Sequence, residues 1–249
     1  MPSLETCYLR IDRASKRIEE LARQVAAYVE ANKSIAIKVH GLTVSVVGWP
    51  DQPSPDMGVT AGEVVYNLRA ALDYLVFELA ILGSGEVNMR TQFPIEDKPE
   101  GFKARRHPDK RGRPNWLTGV DCAHCAALEA LQPYNGVNWT EFLRDMSNED
   151  KHRTIPLLGY ASPPKTINVG GTEEEAKTFG GYRMPGDDVS MYYPSTIHVT
   201  LNSDPPVPVV ETLQILQSEV RAVIDSFEPD FEGAWQEPLP LSPEGIVPT

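Results

Sequence analysis

Cysteine is scarce, and the few residues there are exclude a disulfide framework. Cys7, Cys122 and Cys125 are the only three in 249 residues, an odd number that fits a reducing compartment. Long apolar runs are missing as well: no stretch reaches the roughly 18 residues that a spanning helix needs. The opening MPSLETCYLRIDR has no basic segment followed by an apolar one, so neither a secretory leader nor a membrane anchor is indicated, and a cytoplasmic location is expected. Positive charge is in deficit. Twenty-three Lys and Arg face 35 Asp and Glu, a net charge of −12, which opposes broad attachment to nucleic acid or anionic membrane. There is no nucleophile elbow of the GxSxG type, no Walker-type phosphate loop, no dinucleotide glycine motif after a strand and no HExxH. A familiar hydrolase, kinase or dehydrogenase site is therefore disfavoured. No internal repeat is visible either, which sets aside a solenoid.

What remains is ordinary for a globular protein: 41% apolar and 23% charged residues in a chain long enough to bury an ample core. The stretch with the strongest period is GEVVYNLRAALDYLVFELAIL, Gly62 to Leu82. Val64, Leu68, Leu72, Leu75 and Leu79 recur at three- and four-residue steps and make one apolar stripe of an α-helix. Tyr66, Arg69 and Asp73 fall on one flank of it, and Glu63, Asn67 and Tyr74 on the other. Short polar and aromatic groups in such places point to fixed partners rather than free solvent.

Around this helix the chain reads in order. Leu4, Tyr8, Ile11, Ile18, Leu21, Val25 and Tyr28 keep helical spacing from about Ser3 to Ala31, an amphipathic helix. Ile35 to Val39 and Leu42 to Val47 form two β-type runs with Gly41 between them, a hairpin pattern. Trp49 to Gly58 is a Pro-rich loop, after which Thr60 would cap the organising helix with Glu63 three residues on. The chain then turns irregular until a helix at about Cys122 to Leu131, stopped by Pro133, and another from about Thr140 that carries EFLRDMSNEDKHRTI. From Lys165 to Asn202 Gly, Thr, Tyr and Val dominate, with STIHVTL as a strand; Val209, Leu213, Leu216, Val220, Val223 and Phe227 mark a final helix. The expected fold is mainly α with a small β element (α+β): a helical bundle with a hairpin and short antiparallel strands. Residues 1–228 make one domain, and 229–249, with five prolines, an extended or disordered tail.

Two local clusters carry chemistry. KARRHPDKRGRP holds six cationic residues in twelve positions: Lys103, Arg105, Arg106, Lys110, Arg111 and Arg113. It is either a solvated loop or one that contacts phosphates. DCAHC offers Cys122, His124 and Cys125, but a closed zinc site needs four donors and no second CxxC follows. Helix-start packing is the simpler account, so no metal and no cofactor is expected. In SNEDKHR, Ser147 to Arg153, a continuing helix would put Arg144, Asn148, Lys151 and His152 on one face. Asp150 and Arg153 would turn toward the apolar side and pair with each other or with Arg69 and Asp73. Such a polar network could simply fix helix register, with His152 hydrogen-bonded across the bundle. Tyr192, Tyr193, Trp116 and Trp139 read as packing before base stacking.

NLRAALD (Asn67 to Asp73), TQFPI (Thr91 to Ile95), LQPYN (Leu131 to Asn135) and NEDKHR (Asn148 to Arg153) together resemble a widespread group of uncharacterised bacterial proteins with NLRxALD and NxDKHR motifs, over roughly residues 60 to 155. Members often carry His where this chain has Tyr66 and Tyr74, which speaks against a histidine metal site. A more distant resemblance is to the HEPN superfamily of helical-bundle proteins, many of them RNA-cleaving. Their motif is an Arg, a polar residue, three further residues and a His near a dimer interface. Asn148 and His152 match its last part, while Ser147 stands where the Arg belongs. That likeness implies metal-independent RNA cleavage by a homodimer, centred on His152 as proton acceptor, with Asn148, Lys151 and Arg153 assisting and the basic segment guiding RNA. The alternatives are a noncatalytic binding or assembly protein, and a small-molecule protein whose pocket uses Tyr66, Asn67, Arg69 and Asp73.

Overall fold

The structure, a computed structural model, describes residues 2–33, 36–40, 43–162, 182–183, 190–194, 196–203 and 205–232. Among them α1 spans Glu5–Ala31, α2 Pro55–Gly83, α3 Pro99–Arg106, α4 Cys122–Ala130 and α5 Asn138–Asp150, with a 3-10 turn at Pro133–Asn135. The strands are β1 Ala36–His40, β2 Thr43–Val47, β3 Leu157–Ser162, β4 Tyr182–Arg183, β5 Ser190–Pro194, β6 Thr196–Leu201 and β7 Val207–Pro208, and α6 is Val209–Glu232. The class is mainly α with a small antiparallel β component. The described residues group into two units. One takes the described parts of 1–10, 70–141 and 219–249, the other those of 11–69 and 142–218; α1, α2, α5 and α6 each give residues to both.

The apolar period of α2 survives intact: Val64, Leu68, Leu72, Leu75 and Leu79 are fully buried. The buried surface is wider than one stripe, because Ala61, Val65, Ala71, Val76 and Ala80 are also fully buried. A helix that is apolar on most sides belongs in an interior. Its start lies earlier than Thr60. Ser54 Oγ accepts the Asp56 N–H at 3.3 Å and Pro55 takes the first helical position, where its missing N–H costs nothing. Thr60 is inside the helix, donating its hydroxyl to Asp56 O at 3.0 Å.

Both sheets lie in the second unit. The hairpin pairs Ala36 with Val47 and His40 with Thr43, with the expected Gly41 turn outside the described residues, and β1 continues to β5 and β4 in the order β2-β1-β5-β4. The expected strand at STIHVTL is β6, whose Ile197, Val199 and Leu201 are buried. It pairs with β3, Leu157 against Leu201 and Ser162 against Thr196.

Besides the start of α2, four features differ from what the sequence predicts. Residues 99–106, expected to be irregular, form α3: Pro99 starts it, Phe102 is buried, and Lys103, Arg105 and Arg106 fill its last turn, where cations favour the negative end of the helix dipole. The basic segment is thus one-third helix, not all loop. Helix α5 stops at Asp150, so Lys151, His152 and Arg153 lie in the turn beyond it and share no helical face with Asn148. β3 had not been anticipated. Finally, α6 runs through Pro229 to Glu232, where Phe231 stays buried one turn after buried Phe227; residues 229–232 are therefore helical, and 233–249 lie outside the described residues.

Close backbone approach explains the glycine at position 58. A Cβ there would overlap the Ile155 carbonyl oxygen, a backbone atom that cannot swing aside. Gly58→Ala is expected to destabilise the protein by about 1–3 kcal/mol, the usual cost of overpacking, read as a lowered thermal midpoint.

Candidate functional site

Within the first unit, three of the four recognised motifs are tied together by hydrogen bonds. The Asp73 carboxylate of NLRAALD accepts the Phe93 N–H of TQFPI at 2.9 Å, and Phe93 is fully buried. Gln132 of LQPYN, itself fully buried, accepts the Glu96 N–H at 2.9 Å and donates to the carbonyls of Pro94 and Leu128, each at 2.9 Å. One amide so meets two backbone groups of a segment that has no ladder of its own, and a carbonyl of α4 as well. Other polar flanks of α2 are likewise held: Arg10 donates to the Tyr74 hydroxyl at 2.7 Å, and Glu63 pairs with Arg17 at 2.7 Å.

The fourth motif lies in the second unit and behaves differently. Asp150 ends α5 with its carboxylate against Gly62 of α2, where a Cβ would overlap it. Burial first and the Glu63 charge second raise its pKa above the ordinary carboxylate range. It does not pair with Arg153. Arg153 is exposed and bonds Glu149 at 2.6 Å, because the chain leaves the helix after Asp150 and carries the guanidinium away from the apolar side. The three following residues form a turn that uses the last carbonyls of α5: Lys151 N–H reaches Ser147 O at 3.3 Å, and the N–H groups of His152 and Arg153 reach Glu149 O at 3.0 Å.

Asn148, Lys151 and His152 are all exposed, and Lys151 Nζ lies 3.4 Å from Asn148 Oδ1. Among the described residues no hydrogen bond or ion pair is made by the His152 imidazole, and Lys151 has no ion pair. The cross-bundle hydrogen bond considered for His152 is not present there. The structure thus brings Asn148 and Lys151 together, leaves His152 exposed next to Lys151 in the chain, and turns Arg153 to Glu149.

The basic segment is less available than its composition suggests. Asp109 is its hub: it accepts from Arg113 Nε at 2.8 Å and N–H at 3.1 Å, from Arg111 N–H at 2.8 Å and from Arg90 at 3.0 Å. Chiefly through the Arg113 hydrogen bonds, these contacts hold its carboxyl well below the usual range. Arg105 pairs with Glu96 at 2.6 Å and lies 3.9 Å from the Trp116 ring centroid, so this Trp packs under a guanidinium. Arg106 reaches Cys122 Sγ at 3.9 Å. Lys103, Lys110 and Arg111 keep exposed side chains.

The residues of the expected ligand set on α2 differ in exposure and engagement. Tyr66 is exposed, Asn67 is buried and donates to Glu63 O at 2.7 Å, Asp73 is engaged by Phe93, and Arg69 is half-buried. A groove of about 410 Å³ lies elsewhere in the second unit, between the end of α1 and the start of α2, with Gln24, Tyr28, Asp51 and Asp56 in its wall. No motif announced it; the only signal was a Pro-rich QPSPD beside a polar helix end. At DCAHC, Asp121 caps α4 by accepting the His124 N–H at 2.9 Å, buried Cys125 contacts Val120 O at 3.7 Å, and the His124 ring sits between Asp121 at 2.6 Å and Asp230 at 3.2 Å.

Compared with known proteins, the chain matches no family model, no curated protein and no solved structure.

Two expectations follow from the motif geometry. Gln132→Leu removes the side-chain partner of the Glu96 N–H and of the buried Pro94 carbonyl and should cost on the order of 2–4 kcal/mol, measured by denaturant unfolding. For Asp150 the sign runs the other way. Its folded pKa is raised, so the charged form weakens the fold above that pKa, and the penalty vanishes below the unfolded value of about 4; an acid at a helix C-terminus adds to it. Asp150→Asn should raise the thermal midpoint at pH 7, and the gain should shrink to nothing as the pH falls to about 4.

Proposed function

We infer that the protein acts on RNA, with metal-independent cleavage centred on the turn after α5. One observation carries this reading: His152 is exposed, has no side-chain hydrogen bond among the described residues, and directly follows Lys151, whose ammonium reaches Asn148. Asp73, Phe93 and Gln132, other notable motif residues, have evident structural work. His152 and Lys151 do not.

In this proposal the His152 imidazole takes the proton of a ribose 2′-hydroxyl. The 2′-oxygen then attacks phosphorus, the bond from phosphorus to the 5′-oxygen breaks, and that oxygen takes a proton from solvent. Lys151 offsets the charge that grows on the phosphate oxygens, and Asn148 steadies the Lys151 ammonium. With Arg153 engaged by Glu149, Lys151 is the better placed cation. Lys103, Lys110 and Arg111 serve RNA contact on their own unit, and the proposal includes a cytoplasmic homodimer of HEPN-like kind.

A second reading, a noncatalytic binding or assembly protein, is favoured by the hydrogen-bonded motifs of the first unit, which secure structure without any reactive group.

The purified protein incubated with varied RNAs in EDTA, beside His152→Ala and Lys151→Ala, separates the two. Cleavage leaving 2′,3′-cyclic phosphate ends, lowered about 100-fold or more by His152→Ala in a protein with unchanged circular dichroism and melting, supports the nuclease. No cleavage, or equal cleavage by His152→Ala, overturns it and leaves the binding reading.

A further inference from the structure

The groove beside α1 and α2, about 410 Å³, falls in the ~300–1,000 Å³ range of small-molecule sites. Its main hydrogen-bond donors are already occupied. The Tyr28 hydroxyl donates to the Asp51 carbonyl oxygen. The Asn32 amide donates to Tyr28 O at 2.9 Å, and its oxygen accepts the Asp51 N–H at 3.0 Å. Gln24 Nε2 donates to Asp56 Oδ2 at 3.0 Å, which sets the amide orientation, since turning it over would put oxygen against carboxylate. Gln24 Oε1 is thereby left buried without a hydrogen-bond partner.

Charge in the groove is one-sided. Asp51 and Asp56 line it, and among its described lining residues there is no Lys, Arg or His. Asp51 is anchored through its backbone N–H and carbonyl, so the fold does not need its carboxylate. That carboxylate is near enough to act, after burial, as a cause of the raised Tyr28 pKa. Met57, buried, and Ala27 supply apolar wall.

We propose that this groove binds a small, free organic cation: an ammonium or guanidinium head on a short alkyl stem. Asp51 and Asp56 attract the head, Gln24 Oε1 accepts one of its N–H groups as the side chain adjusts, and the stem lies on Met57 and Ala27. The site shares no residue with the turn at His152 and stands or falls separately from RNA cleavage.

The full chain is titrated with 1,4-diaminobutane and with agmatine, and with neutral 1,4-butanediol as control. Binding is followed by calorimetry and by the Gln24 and Asn32 side-chain amide signals in NMR, for the wild type, Asp51→Asn, Asp56→Asn and the double variant. Saturable shifts with the cations and not the diol are expected. Each single variant should weaken binding about threefold to fivefold, the scale of an exposed ion pair, and the double variant by about the product. Added salt should weaken wild-type binding too, a readout that needs no variant. An equal response to the diol, no saturable shift with either cation at millimolar concentration, or unchanged affinity in the double variant or in high salt overturns the proposal.

Discussion

Burial of α2 on nearly every side is the constraint on which the rest depends. A helix with so little solvent face leaves each of its polar groups to find a partner inside the protein or bear the cost of desolvation. Asp73 finds the Phe93 N–H, Tyr74 the Arg10 guanidinium, and Glu63 the Arg17 guanidinium. It also forces backbone to approach backbone. Gly58 makes room for the Ile155 carbonyl, Gly62 for the Asp150 carboxylate, and Gly83 for the Gly119 carbonyl. These small residues let neighbouring segments reach the helix at distances a side chain would forbid.

How legible all this was depended on the range of the interactions. The stripe Val64, Leu68, Leu72, Leu75 and Leu79 was plain because helical period is a local signal, and the hairpin and β6 showed for the same reason. The start of α2 was misplaced because Thr60 looks like a cap, while the Ser54–Pro55 pair five residues earlier is the stronger one. The missing α3 carries only one buried residue, Phe102, too few to show a period. At the candidate site the types were legible and the pairing was not. Arg153 chose Glu149 over Asp150 because α5 ended one residue after Glu149, and a helix boundary is what single-sequence reasoning places least well. The groove was invisible, since its walls are far apart in the chain and owe their polarity to ordinary residues.

Counting charges also misjudges the surface. The basic segment carries six cations, yet Asp109 gathers Arg90 and Arg113, and Glu96 takes Arg105. Its field is set by the cations left exposed rather than by the number present. The turn at His152 is the reverse case, where Lys151 and His152 stand in the open and the His152 imidazole has no hydrogen bond among the described residues. The contrast explains why two motif-rich stretches of one chain divide between architecture and proposed chemistry.

The enclosure of α2 also sets a timescale. Amide protons exchange with solvent only when their hydrogen bonds open, and helices with many buried neighbours open last. From Ala61 to Ala80 the fully buried positions leave no run of exposed turns, so these amides belong to the most protected set in the molecule. The turn Lys151–Arg153 rests on the final carbonyls of α5 and is exposed, so its amides belong to the quickly exchanging set. The residues of the proposed chemistry thus sit on backbone that opens readily, while α2 opens last.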